Sequence, residues 1–173
     1  PEITRVQVLL DRAITRLLSG EHRGAEQDVA EVKAALADSS VWPPTLADLL
    51  EQLAETQLML ENADDAIASQ SRAVEIWETE EDRSLELMTA LGQLHGMYAF
   101  AEDFDKTQEI LERQLEIATT LDEEEDDTYF RGSVWHDYGH FYESIEEKDK
   151  AIEAYEKALD FYTQSETADE VSG

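Results

Sequence analysis

Residues 135–142 read WHDYGHFY and residues 149–159 read DKAIEAYEKAL, and these two stretches decide the fold. Gly139 in the first stretch is followed twelve residues later by Ala151 in the second. Small side chains let two helix backbones approach closely where they cross, while large residues fill the space around them. A glycine inside a helix costs up to about 1 kcal/mol relative to alanine, so close packing is the expected compensation. The pattern predicts an antiparallel pair of helices.

The same spacing occurs three times earlier in the chain. Ala13, Ala54 and His95 precede Gly139 at intervals of 41, 41 and 44 residues. The residues twelve positions further on are Ala25, Ala66, Thr107 and Ala151. Each second helix extends one turn further along one stripe, to Leu36, Trp77, Ala118 and Tyr162. A period of this length indicates a repeat protein built from helical hairpins.

The third repeat departs most from the pattern. His95, Thr107 and Gln114 stand where small residues are expected. A competing register would place Gly92 rather than His95 at the helix crossing. We prefer His95 because it keeps Tyr98 in register and leaves the second helix, DFDKTQEILERQLEIA, uninterrupted.

The fourth repeat resembles a tetratricopeptide repeat. The matching residues are Trp135, Tyr138, Gly139 and Tyr142 in the first helix and Ala151, Tyr155 and Ala158 in the second. With tyrosine in place of leucine, the first four reproduce the opening W-x2-L-G-x2-Y of that family. The resemblance implies an all-α fold, a right-handed superhelical α-solenoid of about four helix-turn-helix repeats with eight helices. The 41-residue spacing is similar to the forty-residue variety found in kinesin light chain and in cell-polarity adaptors.

The repeats are expected to form one domain over residues 1–173. Their predicted bounds are roughly 4–38, 45–80, 85–120 and 130–163. Ser39-Ser40 and Pro43-Pro44 supply the break between the first two repeats, since proline suits a helix start. The run of six acidic residues from Asp122 to Asp127 predicts a solvated linker over 121–128. Residues 164–173 predict a polar tail, which lacks the apolar stripe of a capping helix.

The chain is strongly acidic, with 42 acidic and 13 basic side chains and a formal net charge of -29. Nucleic acid and anionic membrane surfaces are therefore not expected partners. A hydrophobic content of 42% and clear helical periodicity argue against disorder. The acid-rich, lysine-poor composition resembles that of proteins from salt-loving organisms. The alternative is an ordinary protein that its charge keeps dispersed.

The sequence contains no cysteine, which excludes disulfides and thiolate chemistry. Its apolar segments are short and interrupted by charges, so neither a transmembrane helix nor a signal-peptide core is expected. We predict a cytoplasmic location and no cofactor.

His136 and His140 lie one helical turn apart, with Glu143 a further turn along, and this spacing can bind zinc. The stretch resembles the H-E-x-x-H motif of zinc proteases, but Asp137 stands where that motif requires a longer general-base glutamate. The surrounding residues already fit the repeat, so we predict no metal site and no catalytic residue. A metal-dependent hydrolase that uses His136 and His140 is kept as an alternative.

If the first helices resemble those of the family, their inner faces line a ligand groove. The candidate groove residues are Leu10, Ile14, Leu17, Asp48, Glu51, Glu55, Met59, Phe100, His136, His140 and Glu143. Such a groove is apolar at its start and acidic towards its end. Alternatively, some of its apolar residues pack against a neighbouring domain or a second copy of the chain, which would make a homo-oligomer.

The resemblance implies a non-enzymatic scaffold for protein–protein interaction. Chaperone-binding members of the family hold an acidic carboxyl-terminal peptide with a clamp of Lys, Asn and Arg. The corresponding residues here include Leu10, Ile14, Glu51 and Glu55, so that clamp is absent. We expect a protein or peptide partner that is basic or mixed basic and apolar, because like charge would oppose an acidic one. The alternative is a ligand-sensing regulatory segment of a larger signalling protein.

Overall fold

The computed structural model describes residues 2–37, 42–81, 83–125 and 127–172. These residues contain no strand, and they form eight helices. The helices are α1 Glu2–Leu18, α2 His22–Ala37, α3 Pro43–Met59, α4 Ala63–Trp77, α5 Ser84–Phe100, α6 Phe104–Glu125, α7 Tyr129–Ser144 and α8 Lys148–Ser172. Each odd-numbered helix packs against the helix that follows it, which gives four hairpins. The predicted all-α fold of helix-turn-helix repeats is confirmed.

One type of turn closes all four hairpins. In each turn one residue has a positive φ, namely Gly20 (78°), Glu61 (61°), Glu102 (58°) and Glu146 (62°). In the third turn the Asp103 N–H donates to the Tyr98 carbonyl at 2.9 Å, and the Glu102 N–H donates to the Ala99 carbonyl at 3.1 Å. This pair of hydrogen bonds is the Schellman arrangement, which satisfies the last carbonyls of a helix. Because Glu102 follows His95 by seven residues, as Gly20 follows Ala13, the turns support the His95 register.

The chain divides into two compact units, Pro1–Arg83 and Ser84–Gly173. The first unit holds α1 to α4, and α1 packs on α3 as well as on α2. Leu10, Leu36 and Leu53 are almost fully buried in its core. The second unit holds α5 to α8, around a core that includes Leu111, Val134 and Phe141. A single domain over residues 1–173 stays a prediction.

The small residues of the repeat lie where the helices of a hairpin cross. Ala13, Ala25, Ala54 and Ala66 are fully buried in the first unit. In the fourth hairpin, a Cβ atom at Gly139 would overlap the ring of Tyr155. The close approach of α7 and α8 therefore requires glycine at this position, which offsets its low helix propensity.

Some positions of the repeat pattern carry polar residues, and these residues form hydrogen bonds between the two helices of their hairpin. In the first hairpin Arg16 Nη1 donates to Asp28 Oδ2 at 2.6 Å. In the third hairpin His95 Nδ1 lies 2.9 Å from Gln114 Oε1, and Gln114 Nε2 donates to the Met88 carbonyl at 3.2 Å. The third repeat is therefore degenerate in sequence because a polar pair replaces two small residues at its helix crossing.

The predicted acidic linker over 121–128 is wrong, because α6 continues to Glu125. Asp122 is 1% exposed and accepts hydrogen bonds from the backbone N–H groups of Phe130 and Arg131, both at 2.9 Å. Arg131 Nε also donates to Asp122 Oδ2 at 2.8 Å. A carboxylate at the start of a helix satisfies its free N–H groups and favours its dipole. One residue of the acidic run thus fixes the start of α7.

Helix α8 continues to Ser172, so the residues of the predicted polar tail over 164–173 belong to this helix as far as Ser172. The sequence has neither glycine nor proline between residues 159 and 172, so no residue there favours a helix end. Gly173 lies outside the described residues, as do Ser39 and Ser40 of the predicted break. Pro43 and Pro44 occupy the first turn of α3, as predicted. In the part of the chain that the structure describes, no helix is long and apolar enough to cross a membrane.

Candidate functional site

The candidate groove residues on α1 do not all face solvent. Leu10 is fully buried, so its assignment to the groove is wrong. It is buried because α1 packs on both α2 and α3, which covers more of its surface than a single helix partner would. Ile14 and Leu17 are half-buried.

The candidates on α3 form an acidic and apolar surface. Asp48 and Glu55 are exposed, and the Met59 side chain near the end of the helix is 46% exposed. The Glu51 carboxylate accepts a hydrogen bond from Trp77 Nε1 at 2.7 Å. Glu51 is thus engaged with α4, while its neighbours on α3 remain accessible.

In the second unit, the histidines and Glu143 meet a tyrosine from α8. The rings of His136 and His140 lie 4.6 Å apart between centroids and nearly perpendicular. The Tyr155 hydroxyl donates to Glu143 Oε2 at 2.8 Å and lies 3.1 Å from His140 Nδ1. Burial, followed by the hydrogen bond to Glu143, raises the pKa of Tyr155 to about 12. Phe100, at the end of α5, is 65% exposed.

The two histidines do not complete a metal site with their neighbours. A zinc ion in a catalytic site takes three protein ligands. Within residues 2–37, 42–81, 83–125 and 127–172, no three His, Asp or Glu side chains are grouped so that they could hold a metal ion. His140 Nδ1 lies instead beside the Tyr155 hydroxyl.

A cleft of about 250 Å³ lies between α5 and α7, with α6 beneath it. One wall is apolar and comes from Leu85 and Met88 of α5 and from Phe130 of α7. The polar lining includes Gln114 of α6 and Asp137 of α7. We call this feature the α5–α7 cleft, and it brings together residues from two repeats.

Asp137 is the charged residue of the α5–α7 cleft. Its side chain is 30% exposed, and its Oδ1 lies 3.9 Å from His136 Nδ1. Burial raises the pKa of Asp137, although His95, His136 and His140 act in the opposite direction. Burial also lowers the pKa of His95, so this imidazole is neutral near pH 7. The cleft therefore presents a partly buried carboxylate near imidazole rings, of which that of His95 is neutral.

Sequence reasoning considered Asp137 only as a departure from the zinc-protease motif. The cleft that it lines also needs Leu85 and Gln114, which lie 52 and 23 residues earlier in the chain. A usable signal was the position of Asp137 next to His136, a candidate groove residue on the same helix.

Comparison with known proteins agrees with this geometry. Residues 132–164, which cover most of α7 and the first part of α8, match the tetratricopeptide repeat family. The solved structure of aspartyl phosphate phosphatase F from Bacillus subtilis superposes with a TM-score of 0.75 over 96% of this chain, at 13% identity. Residues 132–164 therefore form a tetratricopeptide repeat, and the chain as a whole has a tetratricopeptide-like helical-repeat fold.

Two further solved structures share this tetratricopeptide-repeat fold. A signal transduction ATPase with a tetratricopeptide repeat sensor, from Pyrococcus horikoshii, has a TM-score of 0.75 over 98% of the chain at 14% identity. BtubC from P. vanneervenii has a TM-score of 0.65 over 86% of the chain at 22% identity. No curated protein matches the chain in sequence.

The chain is shorter than each of these three proteins. It spans 42% of the phosphatase, 26% of the ATPase and 59% of BtubC. At these identities the likeness shows the fold, and it assigns none of their activities to this chain.

Proposed function

We propose that this tetratricopeptide-repeat protein is a non-enzymatic scaffold that binds a protein or peptide along its odd-numbered helices. The fold is one that generally serves protein–protein interaction, and the candidate residues on α3, α5 and α7 are largely accessible. The observation that carries the proposal is the α5–α7 cleft, because it joins an apolar wall to a carboxylate within one compact unit.

The chemistry of these faces favours a basic or mixed basic and apolar partner. Acidic side chains occur on two of these helices, at Asp48 and Glu55 on α3 and at Glu143 on α7. Exposed apolar residues occur on the same set of helices, with Met59 on α3 and Phe100 on α5. A net charge of -29 adds a general attraction for cations and repels acidic peptides.

Binding of lysine-rich and glutamate-rich peptide libraries at matched salt tests this proposal. We expect the lysine-rich set to bind more tightly, and we expect peptides with interspersed leucine to bind best. A preference for the acidic set, or failure of both sets to bind at low salt, would contradict the proposal.

A second candidate is a ligand-sensing segment of a larger signalling protein. It is supported by the similar structure of the Pyrococcus horikoshii protein, whose repeats are described as a sensor and of which this chain spans 26%. Small-angle scattering of the chain with and without a bound peptide separates the two candidates. A change in the radius of gyration supports sensing, whereas an unchanged radius supports a rigid scaffold.

We also propose that the protein is adapted to high salt. The support is its composition, since 42 acidic side chains against 13 basic ones must repel one another unless ions screen them. Formation of a homo-oligomer and a cytoplasmic location stay predictions.

A further inference from the structure

The α5–α7 cleft has the size of a single side chain. Pockets for drug-sized ligands usually enclose about 300–1,000 Å³. The α5–α7 cleft encloses about 250 Å³ and is lined on three sides by α5, α6 and α7. It is therefore suited to one long side chain that projects from a partner lying across the two helices.

The α5–α7 cleft has an apolar part and a polar part, which match the apolar stem and the charged head of a lysine or arginine side chain. Leu85, Met88 and Phe130 provide apolar surface that can cover an aliphatic stem. Thr89, Ser133 and Asp137 supply oxygen atoms, and Asp137 is the acidic residue among them. Long basic side chains characteristically bury their methylene groups and present a charged head to a polar group.

Asp137 has no strongly basic group acting on it among the described residues. The ionisable groups that act on it are the imidazoles of His95, His136 and His140. His95 is neutral near pH 7 because burial lowers its pKa, and the His136 ring stands off at 3.9 Å. A carboxylate withdrawn from water without a cationic partner costs free energy, which an incoming cation would recover. A cationic group of another molecule would therefore stabilise the Asp137 carboxylate.

We infer that the α5–α7 cleft binds one lysine or arginine side chain of a partner peptide, with its cationic head on Asp137 and its stem along Leu85 and Met88. This inference rests on the proposed scaffold function and names the group that would select its partner. Lysine, arginine and free polyamines all carry a cationic group on an alkyl chain. We propose that the cleft binds this group as part of a peptide side chain.

Two peptide arrays test the inference. The first array carries one lysine in the centre of nine-residue leucine–alanine peptides, and the second carries norleucine in place of that lysine. Dissociation constants are measured for the wild-type chain and for Asp137→Asn. We expect the wild-type chain to prefer the best lysine peptide to its norleucine twin by at least tenfold, since hydrogen bonds between charged groups are strong. In Asp137→Asn the preference should fall below twofold.

Glu116→Gln is the matched control, because Glu116 is an exposed carboxylate on α6 outside the cleft. It removes the same charge and should keep the lysine preference within twofold. Asp137→Asn should melt no lower than the wild-type chain, because burial already disfavours the charged form of Asp137. If it does not fold, Thr89→Phe replaces it, since Thr89 is exposed at the edge of the cleft and phenylalanine there would fill it.

The outcomes separate this inference from the proposed function. If Asp137→Asn keeps a tenfold lysine preference, the inference is overturned while peptide binding by the scaffold stands. If no peptide of either array binds the wild-type chain, the inference and the scaffold proposal both fail. If free spermidine binds more tightly than every peptide and this binding is lost in Asp137→Asn, the peptide side chain is overturned as the occupant.

Discussion

Asp28 explains how the first repeat tolerates two arginines on the helix face that packs against α2. Its carboxylate is 1% exposed and accepts hydrogen bonds from Arg12 Nε at 3.0 Å, Arg12 Nη2 at 2.6 Å and Arg16 Nη1 at 2.6 Å. Burial alone would raise the pKa of Asp28, but the hydrogen bonds from Arg12 and Arg16 outweigh it and lower the pKa. The ion pairs thus replace apolar packing at this helix crossing.

We predict that Asp28→Ala lowers the free energy of unfolding by about 2 kcal/mol, because it leaves the guanidinium groups of Arg12 and Arg16 close together without the buried carboxylate that binds both. The loss should stay below that of a fully buried pair, since the Arg12 and Arg16 side chains are 50% and 29% exposed. Urea unfolding measures the change. Glu31→Gln is the control: it breaks the exposed pair with Arg5 and should cost no more than about 0.5 kcal/mol.

The pH dependence of this stability has a definite sign. Because the folded-state pKa of Asp28 is lowered, its contribution is complete above the ordinary carboxyl pKa of 3.8. It is lost as the pH falls below that value through the lowered pKa. The difference between the wild-type chain and Asp28→Asn should therefore shrink below pH 3.8, and a difference that grew there would contradict the assignment.

Three of the four hairpin turns place glutamate where the backbone favours glycine. A side chain in the left-handed region costs roughly 1 kcal/mol, and Glu102 has a φ of 58°. We predict that Glu102→Gly raises the free energy of unfolding by about 0.5–1 kcal/mol. Glu116→Gly, in the interior of α6, should instead lower it by about 1 kcal/mol. Equal losses in both variants would show that the turn carries no strain.

The pairing of α7 with α8 depends on Gly139. Alanine at this position would place its Cβ in the Tyr155 ring and force that ring away from Glu143. We predict that Gly139→Ala lowers the free energy of unfolding by about 2 kcal/mol. Urea unfolding measures this change.

Gly96 in α5 is the matched control, because a Cβ there meets no atom within 4 Å. Gly96→Ala should raise stability by up to about 1 kcal/mol through helix propensity. If both variants changed the free energy of unfolding in the same direction and by a similar amount, close packing would not explain why glycine is required at position 139.

The helices themselves could be predicted from the sequence, because the small residues at Gly139 and Ala151 and the apolar stripe are local patterns. Which polar residues meet could not be predicted, since Arg16 and Asp28 pair only once the faces of α1 and α2 are fixed. The acidic run shows the same limit. Its six side chains are alike in charge, and only the position of α7 selects Asp122 as the buried one.

The candidate site was predicted less well than the fold. Leu10 has the groove offset but is buried, because the offset does not show how α3 packs on α1. Asp137 was missed as a site residue because the cleft depends on side chains of three helices.

The acidity of the whole chain should make its stability depend on salt. The Debye length falls from about 8 Å at 0.15 M to about 3 Å at 1 M, which weakens repulsion among surface carboxylates. If screening recovers about 2 kcal/mol, the melting temperature should rise by about 4–8 °C. Melting curves in KCl measure this effect.

The control carries Glu75→Lys and Glu116→Lys, two exposed positions on α4 and α6. With fewer negative charges, it should show a smaller rise over the same KCl range. A melting temperature that does not rise between low and molar salt would contradict the proposed salt adaptation.

We propose that partners bind on the odd-numbered helices, and this proposal can be tested at the level of single residues. Backbone amide NMR of the 173-residue chain, titrated with the tightest lysine-rich peptide, locates the contact directly. We predict shift changes at Asp48 and Glu55 on α3 or at Thr89, Ser133 and Asp137 around the α5–α7 cleft, with little change at Glu75 and Glu116. Changes confined to the exposed faces of α4 and α6, with none on α3, α5 or α7, would contradict the claim.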